Sequence, residues 1–295
     1  MAARWSPGER RVMILSALPG SFGMMSAMII DADSGDHEMA AGDVRVRISP
    51  RRGGTITSLV VGGTELLAQG DGYGCFPMAP WCGRIGNGQL TVGAETHQLP
   101  LNADPHAIHG TVRDGEWDVV DASDTHMTLR QALAPPWPFT GRVIQSFRLT
   151  EDVLDLSMAV AAESDPFPAQ VGWHPWFKRH LSDDTEPVRI DFAPDWQELR
   201  GPDYLPSGAR IAPEPGPWDD CFGMVDGVRV ALTWPGVLRL EVSSPERWVV
   251  VYDMEDDAVC VEPQSGPPDG VNTMPRLVTP ESPLTASCRW TWTRL

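Results

Sequence analysis

Two histidines lie in motifs that could place a titratable ring at the end of a strand. His109 belongs to the segment 105–110 (PHAIHG), and His174 belongs to the segment 172–177 (GWHPWF). Proline and glycine interrupt both segments, and β-proteins often mount functional groups on such loops. An imidazole can accept or donate a proton near neutral pH, so either ring could serve in acid–base catalysis. A structural or surface role is the alternative for both, because a short motif is weak evidence of function.

Glu262 is a carboxylate in a comparable setting. It follows an apolar, strand-like run and precedes a loop rich in proline and glycine, within the segment 259–272 (VCVEPQSGPPDGVN). Alternation along a strand sends Val261 and Glu262 to opposite faces, so the carboxylate could face a cavity. Periodicity alone allows a solvent-facing position equally well.

Two further segments combine charged groups with turn residues. Arg84 lies between glycines in 81–88 (WCGRIGNG), and Asp219 and Asp220 lie between aromatic residues in 218–222 (WDDCF). An exposed turn is the simpler interpretation of both segments.

The spacing of His106 and His109 raises the question of a metal site. A helix could place residues three apart on one face, but Pro105 and Gly110 argue against a helix, and a strand would separate the two rings. A closed metal site needs more ligands than this segment supplies. We therefore predict no metal site.

Strands are the elements that must position these side chains. Apolar and polar residues alternate with a period of two in many short segments, which clusters of Gly, Pro, Asp and Asn separate. The chain shows no amphipathic helix of four turns, no fixed repeat and no linker, and its 28 Gly and 28 Pro are spread out. We predict an all-β fold, one large antiparallel β-sandwich over residues 41–295. Representative strand segments are 44–48, 56–61, 127–131, 142–149, 153–160, 228–232, 238–242 and 248–252.

Charge and cysteine content narrow the function classes. Forty acidic residues against 23 basic residues give a net charge of −17, which argues against nucleic acid or an anionic membrane as a partner. The 12 Trp could bind sugar faces or fill a β-sandwich core. The five cysteines contain no CxxC pair, and we predict reduced, mostly buried thiols in a cytoplasmic protein. These cysteines are Cys75, Cys82, Cys221, Cys260 and Cys288.

Residues 1–40 differ in character from the rest. A start that is basic on balance precedes an apolar stretch that Pro19-Gly20 interrupts and that is too short to span a bilayer. A secretory signal is one interpretation of this pattern. We predict instead a disordered or spurious extension ahead of a later start such as Met28.

In chain order, these motifs resemble those of the aldose 1-epimerase (galactose mutarotase) family. The resemblance runs from about Val44 to Leu295 and leaves out the first forty residues. Two positions depart from the family pattern: Gly83 stands where the family commonly has Asn, and Thr111 stands where it has a second Gly. These departures leave the identity of the sugar open. The matching elements are 80–85 (PWCGRI), Asn102, 106–110 (HAIHG), 172–177 (GWHPWF), 219–222 (DDCF) and 262–268 (EPQSGPP).

The resemblance implies a galactose-mutarotase-type sandwich (supersandwich) and a reaction that interconverts the α and β anomers of a free sugar without metal or other cofactor. It implies that Glu262 is the general base and His174 the general acid. His109 and Arg84 would bind and polarise sugar oxygens, and Asp219, or its neighbour Asp220, would hold ring hydroxyls. The partner is then a small sugar, and we expect a monomer or homodimer.

The expected charges of the two catalytic groups follow from ordinary pKa values. A carboxylate is ionised at neutral pH and a nearby histidine can be cationic. If Glu262 and His174 lie close together, their attraction should lower the pKa of Glu262 and raise that of His174.

Three other functions remain open. A non-catalytic carbohydrate-binding or sensing module could use the same sandwich. A hexose-6-phosphate 1-epimerase would need several Arg or Lys near the site, where the motifs offer only Arg84 and, just past His174, the pair 178–179. A glycoside hydrolase would need two carboxylates, for which only Glu262 and Asp219 could serve. The sequence also leaves open a neutral hexose, a pentose, or an acidic or sulfonated derivative.

Overall fold

The computed structural model describes residues 11–12, 29–30 and 35–295 of the chain. The prediction of a disordered or spurious extension over residues 1–40 therefore falls largely outside the described residues. Among the described residues, no helix combines the length and the apolar character that crossing a membrane would require.

Strands dominate the described part of the chain. The first thirteen strands are β1 (Arg11–Val12), β2 (Ile29–Ile30), β3 (His37–Ala41), β4 (Val44–Ser49), β5 (Thr55–Val61), β6 (Thr64–Glu65), β7 (Cys75–Met78), β8 (Arg84–Ile85), β9 (Gln89–Val92), β10 (Glu95–Gln98), β11 (Ala107–Ile108), β12 (Asp118–Ala122) and β13 (His126–Leu133). The remaining strands are β14 (Gly141–Leu149), β15 (Val153–Ala162), β16 (Phe167–Pro168), β17 (Gly172–Lys178), β18 (Arg189–Phe192), β19 (Trp196–Arg200), β20 (Pro206–Ile211), β21 (Asp219–Gly223), β22 (Val228–Trp234), β23 (Leu238–Ser244), β24 (Trp248–Tyr252), β25 (Ala258–Gln264), β26 (Leu277–Val278) and β27 (Leu284–Arg294). The helical elements are α1 (Gly270–Thr273) and three single 3-10 turns, Pro50–Arg52, Gly86–Gly88 and Val112–Asp114.

Two large sheets carry the architecture. The first has the order β1-β2-β3-β4-β5-β7-β17-β25-β24-β21-β19-β20, with β6 paired to β5. The second has the order β12-β13-β14-β15-β27-β23-β22-β18. Neighbouring strands in both sheets pair antiparallel, as in β17 with β25 and β14 with β15. The predicted antiparallel β fold is confirmed.

The two sheets share one apolar core. Residues of β14 alternate strictly between buried and exposed or half-exposed positions, so one face of the second sheet is covered. Contacts cross from sheet to sheet: the indole N–H of Trp173 on β17 donates to Gln145 Oε1 on β14 at 3.0 Å. The ring of Phe177 on β17 lies 5.1 Å from that of Trp290 on β27.

Most of the tryptophans belong to this core, which decides between the two interpretations of the tryptophan content. The side chain of Trp176 is the exception that matters for function, because it is half-buried and faces a cavity. All five cysteines are buried and unpaired, as predicted. The buried tryptophans are Trp81, Trp117, Trp137, Trp173, Trp234, Trp248, Trp290 and Trp292.

Two neighbouring strands of the first sheet, β17 and β25, fix the positions of the catalytic candidates. All seven residues of β25 are buried, because both of its faces are covered. Gly172 on β17 pairs with Gln264, and Trp176 pairs with Cys260, so this register places His174 level with Glu262. Alternation then puts the even-numbered residues of both strands on the face that points away from the shared core.

Candidate active site

The five side chains that the sequence singles out line one cavity of about 290 Å³. They come from distant parts of the chain and from five separate structural elements. Four of these elements are strands, and the fifth is the turn that follows β11. The residues are Arg84 (β8), His109 (the turn), His174 (β17), Asp219 (β21) and Glu262 (β25).

His174 and Glu262 are in direct contact at the buried end of the cavity. Nε2 of His174 lies 3.2 Å from Oε1 of Glu262. The other carboxylate oxygen, Oε2, accepts a hydrogen bond from Gln264 Nε2 at 3.2 Å. On the far side of the imidazole, Nδ1 lies 3.7 Å from Sγ of Cys260. Both polar ends of the ring are therefore occupied, which fixes its orientation.

The protonation of this pair is opposite to our expectation from the sequence. Burial raises the pKa of Glu262 well above its ordinary value, and the negative charge of Asp219 adds to the effect. Burial lowers the pKa of His174 to about 3, helped by the positive charge of Arg113. The expectation was wrong because removing both groups from water penalises their charged forms more than mutual attraction favours them. Burial therefore disfavours the charged form of both members of the pair.

His109 completes the buried end. Its backbone N–H donates to the carbonyl oxygen of Gly83 at 3.0 Å, and its φ of 64° is left-handed. Gly110 follows at a φ of 72°, where a Cβ would lie only 2.0 Å from the carbonyl oxygen of Ala79. This tight turn brings the ring of His109 edge-on to His174, with 4.9 Å between ring centres.

His109 has a hydrogen-bonding atom to offer a ligand. Burial lowers its pKa well below the ordinary value, and the charge of His174, when present, acts in the same direction, as do Arg113 and Arg84. Its Nδ1 is buried and has no hydrogen-bond partner within the described residues. A buried polar atom without a partner is costly, and a ligand oxygen could satisfy it.

The opposite end of the cavity is charged and more exposed. Arg200 on β19 binds Asp219 through Nη1 and Oδ2 at 2.7 Å, and Asp220 through Nε and Oδ1 at 3.4 Å. The ring of Tyr204 contacts two guanidinium groups, with its centre 4.8 Å from Cζ of Arg84 and 4.9 Å from Cζ of Arg200. Both aspartates therefore line the cavity, and both are held by the same arginine.

His106 does not join the site. Its Nδ1 accepts a hydrogen bond from the backbone N–H of Asn87 at 3.1 Å, and its Nε2 lies 2.9 Å from the carbonyl oxygen of Asp203. It is buried, and it ties the hairpin between β19 and β20 to the segment before β11. The structural interpretation of this histidine is the correct one.

One group of potential metal ligands occurs among the described residues. It comprises His174, Cys260 and Glu262, with donor atoms within 4.8 Å of one another. The imidazole turns Nδ1 to the thiol and Nε2 to the carboxylate. In this arrangement the thiol and the carboxylate each contact a different nitrogen of the ring.

A family model described as aldose 1-epimerase matches residues 37–279 of the chain. The chain belongs to the aldose 1-epimerase family. The matched range contains every strand that contributes to the cavity.

Relatives of this aldose 1-epimerase family member include two uncharacterised Escherichia coli (strain K12) proteins. YphB is 29% identical over 154 residues, which are 48% of this chain and 51% of YphB. YihR is 26% identical over 231 residues, which are 70% of this chain and 74% of YihR. The match to YphB thus spans about half of that protein's length.

Solved structures of low sequence identity share the fold. A galactose mutarotase-like protein from Clostridium acetobutylicum superposes with a TM-score of 0.79 at 17% identity, covering 88% of this chain and 95% of the other. A galactose 1-epimerase from Lactobacillus acidophilus NCFM superposes with a TM-score of 0.74 at 13% identity, covering 97% of this chain and 99% of the other. These similarities confirm a galactose mutarotase-like sandwich for this aldose 1-epimerase family member.

Of the two departures from the family pattern, Gly83 lies in the cavity and Thr111 lies outside it. Gly83 lines the cavity at a φ of 59°, and a Cβ there would lie 3.1 Å from the Pro268 ring, so a side chain at this position would crowd the loop after β25. Thr111 lines a different depression of about 300 Å³, together with Trp81. Only the first departure therefore bears directly on the candidate site of this aldose 1-epimerase family member.

Sequence reasoning missed several residues of the cavity. Arg200 and Tyr204 lie in a stretch, 196–205, that contains none of the motifs. The adjacent Asp219 and Asp220 could have pointed to Arg200, because two carboxylates that are partly buried together need a cation nearby. The remaining cavity residues to which no role was assigned are Ile108, Trp176, Glu198, Pro206, Cys221, Val250, Tyr252, Glu255, Gln264 and Pro268.

Proposed function

We propose that this aldose 1-epimerase family member is a mutarotase, which interconverts the α and β anomers of a free, uncharged aldose. The observation that carries the proposal is the contact of 3.2 Å between His174 Nε2 and Glu262 Oε1 at the buried end of a cavity. A cavity of about 290 Å³ lies at the small end of the range for ligand pockets, about 300–1,000 Å³, which favours a monosaccharide.

The reaction needs one proton acceptor and one proton donor beside the same hemiacetal. Glu262 takes the proton from the hydroxyl group on C1 as the C1=O double bond forms and the bond from C1 to the ring oxygen breaks. His174 gives a proton to that ring oxygen. Rotation about C1–C2 and closure from the other face reverse both transfers, so atoms and protons balance and nothing is oxidised or reduced.

The neutral pair supports these roles once a sugar is present. The carboxylate with a cationic imidazole, and the carboxyl group with a neutral imidazole, differ only in the position of one proton across the contact of 3.2 Å. Hydroxyl groups that donate to Glu262 stabilise its ionised form, as Arg84 and Gln264 already do. Sugar binding would therefore draw the proton toward His174 and prepare the acid and the base together.

The remaining predicted residues fit the binding of sugar hydroxyls. Nδ1 of His109 is available for a sugar oxygen, and the Arg84 guanidinium offers further donors. Asp219 and Asp220, held by Arg200, would accept hydrogen bonds from ring hydroxyls away from C1.

The charges of the cavity favour an uncharged sugar over a sugar phosphate. Two arginines line it, Arg84 and Arg200, and the second is already bound to Asp219 and Asp220. Two more carboxylates belong to the wall, those of Glu198 and Glu255. A phosphate group would meet more negative than positive charge here, whereas its recognition calls for unoccupied cations.

Anomer exchange measures the activity directly. Freshly dissolved α-glucose and α-galactose are followed by polarimetry with and without the purified protein, and exchange at equilibrium is followed by NMR of the anomeric protons. We expect a saturable acceleration over the spontaneous rate. Glucose 6-phosphate, tested beside glucose, should be the poorer substrate.

Two results would overturn the proposal. Saturable sugar binding without any acceleration would identify a binding or sensing module. Acceleration restricted to the phosphorylated sugar would identify a hexose-6-phosphate 1-epimerase instead.

A further inference from the structure

Arg113 lies outside the cavity but close to its catalytic pair. It sits on the 3-10 turn Val112–Asp114, directly after the turn that carries His109. Its guanidinium carbon lies 3.8 Å from the ring centre of Phe76 on β7. The one carboxylate with which it forms an ion pair among the described residues is Asp114, whose Oδ1 is 3.9 Å from Nε and whose side chain is exposed. Arg113 is thus a half-buried cation without a strong counter-charge.

Phe76 connects this cation to both histidines. Its ring stacks on that of His174, with 4.5 Å between centres and an angle of 22° between planes. The ring of His109 meets the same phenylalanine edge-on at 5.7 Å. Arg113 thus contacts the same ring that packs against His174. A positive charge in contact with the ring that stacks on His174 opposes a second positive charge on the imidazole.

Four charged or titratable groups surround His174: three contact its ring, and the fourth, Arg113, contacts Phe76. Glu262 and Cys260 approach from β25, His109 from the turn after β11, and Arg113 from the 3-10 turn. Only an ionised Glu262 would favour the cationic imidazole. The buried thiol is protonated because burial raises the pKa of Cys260 well above its ordinary value, and His109 is neutral. Arg113 is the one permanent charge in this group.

We propose that Arg113 is a positioning residue for the proton of the pair: its charge beside Phe76 adds to the effect of burial and disfavours a second proton on the pair, so that Glu262 can still act as the base in acid. The inference rests on the proposed function for its catalytic meaning. A pair with two protons has no base and cannot open a sugar ring. Arg113 would therefore protect the activity against acid without touching the substrate.

The test reads the His174 ring directly. Protein labelled with ¹⁵N-histidine is titrated from pH 8 to pH 3 by NMR, and the His174 signal is identified by its absence from the His174→Asn protein. We expect the ring of the unsubstituted protein to stay neutral far below pH 6.5. In Arg113→Gln its titration should move up by about one pH unit, whereas Arg113→Lys should stay close to the unsubstituted protein. Arg130→Gln, which removes an exposed arginine of β13, is the matched control and should change nothing.

The activity profile gives a second reading. The acid limb of kcat against pH should rise by the same amount in Arg113→Gln and not in Arg113→Lys or Arg130→Gln. Equal shifts in Arg113→Gln and Arg113→Lys, or no shift in either, would overturn the inference. If Arg113→Gln does not fold, Arg113→Met is titrated in its place with the same expected shift, and a His174 ring that titrates near pH 6.5 in the unsubstituted protein contradicts the inference. If the titration of His174 shifts in Arg113→Gln as expected but the protein does not accelerate anomer exchange, the proposed function is wrong and the inference about Arg113 stands.

Discussion

The two ends of the cavity handle charge in opposite ways. At the inner end, the side chains of His174 and Glu262 are 9% and 4% exposed, and burial holds both near neutrality. At the outer end, the side chains of Asp219 and Arg200 are 20% and 32% exposed, and they form an ion pair at 2.7 Å. Groups that must exchange a proton are kept from settling into fixed charges, and groups that must hold a ligand are fixed by pairing.

The difference also separates turnover from binding. A buried acid and base in direct contact can exchange protons with a ligand, whereas a paired carboxylate is a constant acceptor of hydrogen bonds. Substitutions at the inner end should therefore lower kcat, and substitutions at the outer end should raise KM. Each prediction below tests this division.

The largest effect is expected from the inner pair. Glu262→Gln keeps the shape and the hydrogen bonding but removes the base, and should lower kcat by about 10³-fold with a KM that changes little. His174→Asn should do the same. The double substitution should be hardly worse than either single one, because the two groups act as a unit. Steady-state anomer exchange over a range of sugar concentrations measures both constants.

A control variant shows whether a loss of kcat comes from the removed base or from general damage to the fold. Glu186→Gln removes an exposed carboxylate that is paired with Arg189 on the surface, and it should leave both constants unchanged. Near-normal kcat in Glu262→Gln would show that the division between the two ends is wrong.

The outer aspartates come next in expected size. Asp219→Asn should raise KM by about tenfold or more, because it weakens the charge-assisted hydrogen bonds to sugar and to Arg200. Asp220→Asn should have a smaller effect, since its contact with Arg200 is 3.4 Å instead of 2.7 Å. Asp118→Asn, at an exposed ion pair on β12, is the control. A larger effect of Asp220→Asn would assign the sugar contact to that residue instead.

The buried histidines should leave a mark on the stability of the fold. The pKa of His174 is lowered to about 3, so between about pH 6.5 and pH 3 the unfolded chain binds a proton that the folded chain does not. Each such histidine should lower the free energy of unfolding as the pH falls through this window, by up to about 1.4 kcal/mol per pH unit. Glu262, whose pKa burial raises above its ordinary value of 4.5, acts in the opposite direction above about pH 4.5, so the decline should be steepest below that pH. Urea unfolding at several pH values measures this slope. The His174→Asn protein should show a shallower slope, and an equal slope would contradict the burial argument.

The smallest effect is expected from Tyr204 at the cavity mouth. Its ring contacts two guanidinium groups and the residue is 48% exposed, and a cation–π contact at such a site contributes about 0.5–1 kcal/mol. Tyr204→Ala should therefore raise KM only by about twofold to fivefold. Tyr204→Phe keeps the ring and should resemble the unsubstituted protein. A loss of kcat in Tyr204→Ala would extend the proton-transfer machinery to the outer end.

The sequence was informative where local pattern and structure coincide. Alternation predicted the strands. His174 and Glu262 were expected at strand ends but lie inside β17 and β25, two neighbouring strands whose pairing brings the residues into contact. Arg200 could not be found this way, because its value comes from a partner on another strand, Asp219, and that pairing is a property of the sheet order. The protonation of the pair was predicted with the wrong sign, since a strand pattern does not report how deeply both of its faces are covered.

The hairpin between β19 and β20 has a consequence for how such proteins diversify. It lies at the free margin of the first sheet, yet its tip, Tyr204, reaches the cavity mouth, and its carbonyl at Asp203 is secured by His106. A longer or shorter hairpin would change the width of the cavity mouth and leave the interior strands β7, β17 and β25 unchanged. Changes in this hairpin can therefore alter which molecules enter the cavity while the catalytic residues stay the same.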